Sequence, residues 1–201
     1  MTSEKDKTKQ QILSHLDKIF KVEKNQNRYF NLNDYSRGLH GKYLKITSVR
    51  KILDFPRETF HIFYQDSHEI EVNGTVPGYS DIKTDLITYH DAVLIKFDSF
   101  LPDLTIRPNN INEKVANLFL RFDIKLKNRK RFNNLYVLES NTNSEKLERL
   151  LSVAITDELI LYNNLNIDFK NQSILLRFDE EVNKENSTSL IKLAKLIQSE
   201  F

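Results

Sequence analysis

The chain of 201 residues contains no cysteine and no tryptophan, one methionine, and only 4 glycines and 4 prolines. Without cysteine there is no disulfide framework, no thiol nucleophile and no zinc site built on thiolates, and a reducing compartment, the cytoplasm, is the expected location. So few glycines and prolines leave little material for long flexible linkers. They also leave no glycine-rich phosphate loop of the GxxxxGK or GxGxxG kind, and neither a GxSxG elbow nor an SxxK pair occurs. Apolar runs such as Ala92 to Ile95 and Leu159 to Tyr162 fall far short of the roughly 18 residues of a spanning helix. The opening TSEKDKTKQQ has no apolar stretch behind a basic start, so no signal peptide is expected. Charge of one sign is missing too: 30 Lys and Arg against 28 Asp and Glu give a formal +2, too little for the whole molecule to steer nucleic acid or an anionic membrane.

What is present is core material. Thirteen Phe and eight Tyr carry large apolar area, and a chain of this size buries roughly 70% of its unfolded surface around one core. From Ser3 to about Glu23, Ile12, Leu16, Ile19 and Phe20 recur at helical spacing among polar residues. The spacing predicts an amphipathic helix that needs a partner surface. Either it packs on its own domain, or it docks on a protein partner or a second copy through those four residues. The polar stretch at 25–28 is a natural break, so we expect a helical extension over 1–27 and a single α+β domain over 28–201.

Between Tyr43 and Phe100 the period changes to two. Phe60, Ile62 and Tyr64, then Ile70 and Val72, flank the polar residues 65–67, which reads as a hairpin with Ile62 facing Ile70 and Tyr64 facing His68. Ile87 to Phe97 and Asp103 to Arg107 read as strands, the latter ended by Pro108. Asn110 can cap a short helix over 111–120. Phe122, Ile124 and Leu126 then alternate as a strand, and Leu135 to Glu139 makes another. Thr142 and Glu145 fit a capping box for one long helix whose stripe runs from Leu147 to Tyr162. A tight turn at Asn171 and Gln172 would set Ile167 opposite Leu176 and Phe169 opposite Ile174. A closing helix carries Leu190, Leu193, Ala194 and Ile197. Strands without regular βαβ alternation point to a largely antiparallel sheet covered by helices, an α+β fold.

Chemistry-bearing clusters are sparse. His61, Asp66, His68, Glu69 and Glu71 are metal-ligand types at close spacing, yet the hairpin register turns His61 and His68 to opposite faces and leaves His61 with Glu71 as a cross-strand pair; no metal site is expected. His15, His40 and His90 are isolated. Asp98 and Asp103 flank a proline turn, as strand-end acids commonly do, and Arg37 to Gly41 reads as a turn. No catalytic residue and no cofactor is assigned. Lys125, Lys127, Arg129, Lys130 and Arg131, with Phe132 and Tyr136 beside them, resemble a basic patch with stacking partners for nucleic acid or a phosphorylated ligand; a solvated hairpin end explains the same residues.

The stretch from Phe132 to Ser140, the leucine-rich helix with Leu150, Leu151 and Leu159, and the IDFKNQSILLRF hairpin resemble an uncharacterised bacterial domain family of unknown function over about residues 131–178. The chain departs from that family in carrying Asn141, Thr142 and Asn143 where an acidic residue is usual, and a polar amphipathic helix where members have hydrophobic anchors. The resemblance implies a bacterial cytoplasmic protein and carries over no catalytic residue. The expectation is a non-catalytic intracellular protein-interaction module. Binding of nucleic acid or a phosphorylated ligand at 125–131 is the alternative, and an enzyme whose site is assembled from distant residues comes next.

Overall fold

The computed structural model describes residues 4–24, 43–72, 82–109 and 123–201. The elements in chain order are α1 (Glu4–Ile19), β1 (Val22–Lys24), β2 (Tyr43–Ile52), β3 (Thr59–Val72), β4 (Ile82–Lys96) and β5 (Leu104–Pro108). They continue with α2 (Lys130–Leu135), β6 (Tyr136–Ser140), α3 (Ser144–Leu150), α4 (Val153–Leu159), β7 (Leu165–Lys170), β8 (Ser173–Phe178) and α5 (Lys184–Glu200). The strands form one open sheet in the order β1-β2-β3-β4-β8-β7-β5-β6. All its pairs are antiparallel, so the protein is α+β as its pattern predicts.

Alternation divides the sheet into two faces. Ile52, Phe63, Val93, Ile95, Ile174, Leu176, Ile167 and Phe169 join one core cluster with Ile12 and Leu16 of α1 and with Leu190, Ile191, Ala194 and Ile197 of α5. The helices therefore cover this face. Among the described residues the opposite face carries a smaller cluster made of strand residues: Val49, Phe60, Ile62, Tyr64, Ala92, Leu94 and Leu175.

Several sequence expectations are corrected. Residues 65–67 make no loop: β3 runs unbroken for 14 residues and pairs with β4 from Thr59 opposite Ile95 to Val72 opposite Ile82. The polar side chains at 65–67 imitate a turn in sequence, but nothing in them compels one. The long helix over 142–162 is two. Leu151 leaves helical geometry, and Ser152 restarts the chain as an N-cap, its Oγ accepting from Ile155 N. A serine that offers the backbone an alternative acceptor breaks the run, while Leu147, Leu151, Ile155 and Leu159 all remain in the core. The first helix of this pair is capped by Asn143, whose Oδ1 accepts from Lys146 N at 3.0 Å, in place of Thr142. Ile124 and Leu126 lie in irregular chain. Ile124 N donates to Leu138 O, but Leu138 N donates to the Asp123 carboxylate, so a side chain interrupts the ladder along the outer edge of β6. The expected helix over 111–120 lies outside the described residues.

The β7–β8 hairpin matches its expected register, with Ile167 opposite Leu176 and Phe169 opposite Ile174. Asn171 takes φ 56°, the left-handed region that asparagine tolerates better than most residues. Tyr136 locks β6 to the helical layer: it stacks on Phe132, and its buried hydroxyl lies within bonding distance of Leu159 O and Tyr162 O. Burial raises its pKa.

Candidate functional site

The N-terminal stripe divides between core and surface. Ile12 and Leu16 are each 1% exposed and packed in the chain's own core, so they are not the partner-facing residues that their pattern allowed. Phe20 is half-buried against the same core, whereas Ile19 is 46% exposed. Polar contacts fasten the helix. Arg50 on β2 pairs with Asp17 and donates to Leu13 O at 3.2 Å, and Lys9 Nζ donates to Thr47 O. Burial pulls the Arg50 pKa below its ordinary value, and the Asp17 carboxylate opposes that shift.

Beyond α1 the chain zips onto the turn between β2 and β3. Leu53 N donates to Lys21 O at 2.8 Å, and Lys21 N donates to Asp54 Oδ2 at 2.9 Å. This brings Leu53, 51% exposed, to the same corner of the molecule as Ile19. Exposed Lys18, Lys21, Glu23, Lys24 and Asp54 rim it.

The basic segment is partly consumed. Lys125 pairs with Asp123 and donates to Asn133 O at 3.0 Å. Arg129 is half-buried at the start of α2. Lys127, Lys130 and Arg131 are exposed and make no ion pair among the described residues. The stacking partners do not survive as such, because Phe132 and Tyr136 are buried in the core. The local run of cations was legible, but the direction of its aromatics was not, since α2 turns them inward.

His61 finds a different partner from the expected Glu71. With β3 continuous, His61 stands opposite Val93 and Phe63 opposite Asp91, so His61 and Asp91 are diagonal neighbours on the helix-covered face. His61 Nε2 donates to Asp91 Oδ2 at 2.8 Å with both side chains buried, and His61 Nδ1 is buried without a hydrogen-bond partner. Arg50 stands opposite His61 on the next strand, so Asp17, Arg50, His61 and Asp91 form a polar row beneath α1. No local signal announces Asp91; finding it requires the β3–β4 register. Glu71 stands opposite Lys83 in the backbone register. His15 and His90 are likewise separate: His15 meets Thr188, and His90 bridges Glu180 O and Thr88. His40 and residues 37–41 lie outside the described residues.

A second polar row crosses the opposite face, and sequence reasoning missed it entirely. Asn166 stands opposite Arg177, and Thr105 stands opposite both Asp168 and Glu139. Arg177 pairs with Asp179, Arg107 pairs with Glu139, and Thr105 Oγ1 donates to Asp168 Oδ1 at 3.1 Å. Burial pushes the Asp168 carboxyl up to about 6, against the pull of Arg177, Thr105, Arg107 and Lys170. Tyr64, on the same face, is also raised by burial. Asp168 sits in the alternating pattern LNIDFK, where burial of both faces can be read only once the sheet is assembled.

Among the described residues no cluster of three or more His, Asp or Glu side chains could hold a metal ion, and no helix is long and apolar enough to cross a membrane. No family model, curated protein or solved structure matches the chain.

Proposed function

We propose that the protein is a non-catalytic protein-interaction module that associates with a second copy of itself through the corner formed by Ile19 and Leu53. The observation that carries this reading is the exposure of those two large apolar side chains, 46% and 51%, on segments that the Leu53 N to Lys21 O bond joins, where the rest of the stripe is absorbed by the core. A two-fold interface brings a surface onto itself, so its rim must complement itself. Lys18, Lys21 and Lys24 against Glu23 and Asp54 supply both signs around the apolar centre. Edge-to-edge extension of the sheet is disfavoured: β1 is three residues long, and its fully paired register would set Glu23 opposite Glu23 of the second copy. The contact is therefore apolar and side-chain based. Engagement of the buried ionisable groups in structural pairs, His61 with Asp91 and Arg50 with Asp17, supports a non-catalytic role. The cysteine-free composition supports a reducing, cytoplasmic setting.

Ile19→Glu together with Leu53→Glu is expected to weaken self-association at least about 100-fold while leaving the thermal midpoint unchanged at dilutions where both chains are monomeric, since about half of each side chain is solvent-exposed. Light scattering after size exclusion reads the first and a circular-dichroism melt the second. A variant that associates as the natural chain does would remove this corner from consideration.

A second reading rests on the exposed Lys127, Lys130 and Arg131, which make no ion pair among the described residues. These three cations suit phosphate backbone contacts without base stacking. Affinity for a single-stranded oligonucleotide should then fall with log salt at a slope of roughly two to three, and a Lys127→Glu/Lys130→Glu/Arg131→Glu variant should abolish binding. Equal affinity for that variant would dismiss the reading.

A further inference from the structure

A groove of about 480 Å³ lies between α1 and the start of α5, lined by Lys7, Gln10, Gln11, Ser14, His15, Lys18 and Lys184. Six of these residues fall on α1 at spacings of three and four, so they form one stripe that flanks the Ile12–Leu16 seam. Lys184 opens α5 and closes the groove from the other side. His15 Nε2 approaches Thr188 Oγ1 at 3.5 Å from one helix to the other.

The composition of this lining is selective. Every one of the seven side chains can donate a hydrogen bond, three are permanent cations, and none is a carboxylate or an aliphatic residue. Such a wall repels cations, and although the lysine and glutamine stems present apolar surface, an oxyanion gains both charge and hydrogen bonds at their tips. The volume is large for a lone phosphate and falls within the roughly 300–1,000 Å³ of small-molecule sites. We infer that the α1–α5 groove binds a phosphorylated small molecule, its charge met by Lys184 from α5 and by Lys7 and Lys18, roughly 16 Å apart at the two ends of the α1 stripe, with Gln10, Gln11, Ser14 and His15 between them left to contact the remainder. The groove shares Lys18 with the rim of the Ile19–Leu53 corner and includes none of the 127–131 cations, and it does not depend on either reading.

The full chain titrated with inorganic pyrophosphate at low salt, followed by calorimetry, tests it. Saturable one-to-one binding is expected, with at least about a tenfold loss of affinity in the Lys7→Glu/Lys184→Glu variant. Both charge reversals fall in the first turns of helices, where a carboxylate suits the macrodipole, so the fold should survive. Lys192→Glu/Lys195→Glu, at two exposed lysines further along α5 and outside the groove, serves as the comparison and should leave affinity unchanged. Repeating the titration with ADP identifies the source: tighter binding than pyrophosphate assigns a nucleotide-like ligand whose remainder the polar residues contact, and equal binding assigns recognition of the phosphates alone. Either result upholds the site. Absence of saturable heat, or an equal loss in both charge-reversed variants, overturns it.

Discussion

Asp168→Asn is expected to stabilise the protein at pH 7 by about 2–3 kcal/mol, with a gain that vanishes in acid. Burial raises the Asp168 carboxyl to about 6, from an ordinary value of 3.8. The folded state thus holds this proton more tightly than the unfolded chain does, and between about pH 4 and 6 the unfolded state has fewer protons bound. Stability from this group is fully present below the unfolded pKa and is lost as pH rises through the folded one. Asparagine has no proton to lose and can still accept the Thr105 hydroxyl bond. Neutralising position 168 strips no arginine of its only carboxylate, since Arg177 keeps Asp179 and Arg107 keeps Glu139. Urea denaturation of both proteins at several pH values should show a difference near zero at pH 4 that grows to its full size above pH 6. A pH-independent difference would mean that Arg107 and Arg177 already compensate the ionised carboxylate.

The second large effect concerns the His61–Asp91 pair. Asp91→Ala leaves a buried imidazole with neither ring nitrogen satisfied, because His61 Nδ1 already lacks a partner and Asp91 is the acceptor for Nε2. A loss of about 3–5 kcal/mol is expected. Replacing both residues, His61→Leu with Asp91→Leu, removes the polar groups together and should recover most of it, since the pair sits between Phe63 and Val93 on an apolar face. Denaturant midpoints of the two variants decide the matter. If Asp91→Ala costs under about 1 kcal/mol, the pair is not structural, and a role in chemistry regains ground.

The sequence carried much of the architecture and little of the site, for physical reasons visible in particular residues. Helical periodicity revealed the helices that bury one stripe: Ile12 and Leu16 in α1, and Leu190, Leu193, Ala194 and Ile197 in α5, all in the core as their spacing predicts. Turn chemistry settled the β7–β8 register because Asn171 suits a left-handed residue. Where local signals compete with long-range pairing, reading failed. The polar residues 65–67 suggested a loop that the long β3–β4 ladder overrides, and the error carried His61 to the wrong partner. Ser152 was hidden inside a leucine pattern that two shorter helices satisfy equally well. The side-chain pairs that join different elements in the two polar rows lie 30 to 63 positions apart, from His61 with Asp91 to Thr105 with Asp168. No spacing rule connects such residues before the strand order is known.

Self-association is the central claim, and sedimentation velocity of the natural chain tests it most directly, over a concentration series from about 1 to about 100 µM. A concentration-dependent shift from the 23.8 kDa monomer to a particle of twice that mass is expected, abolished by Ile19→Glu with Leu53→Glu. A single 23.8 kDa species across the whole series would contradict it.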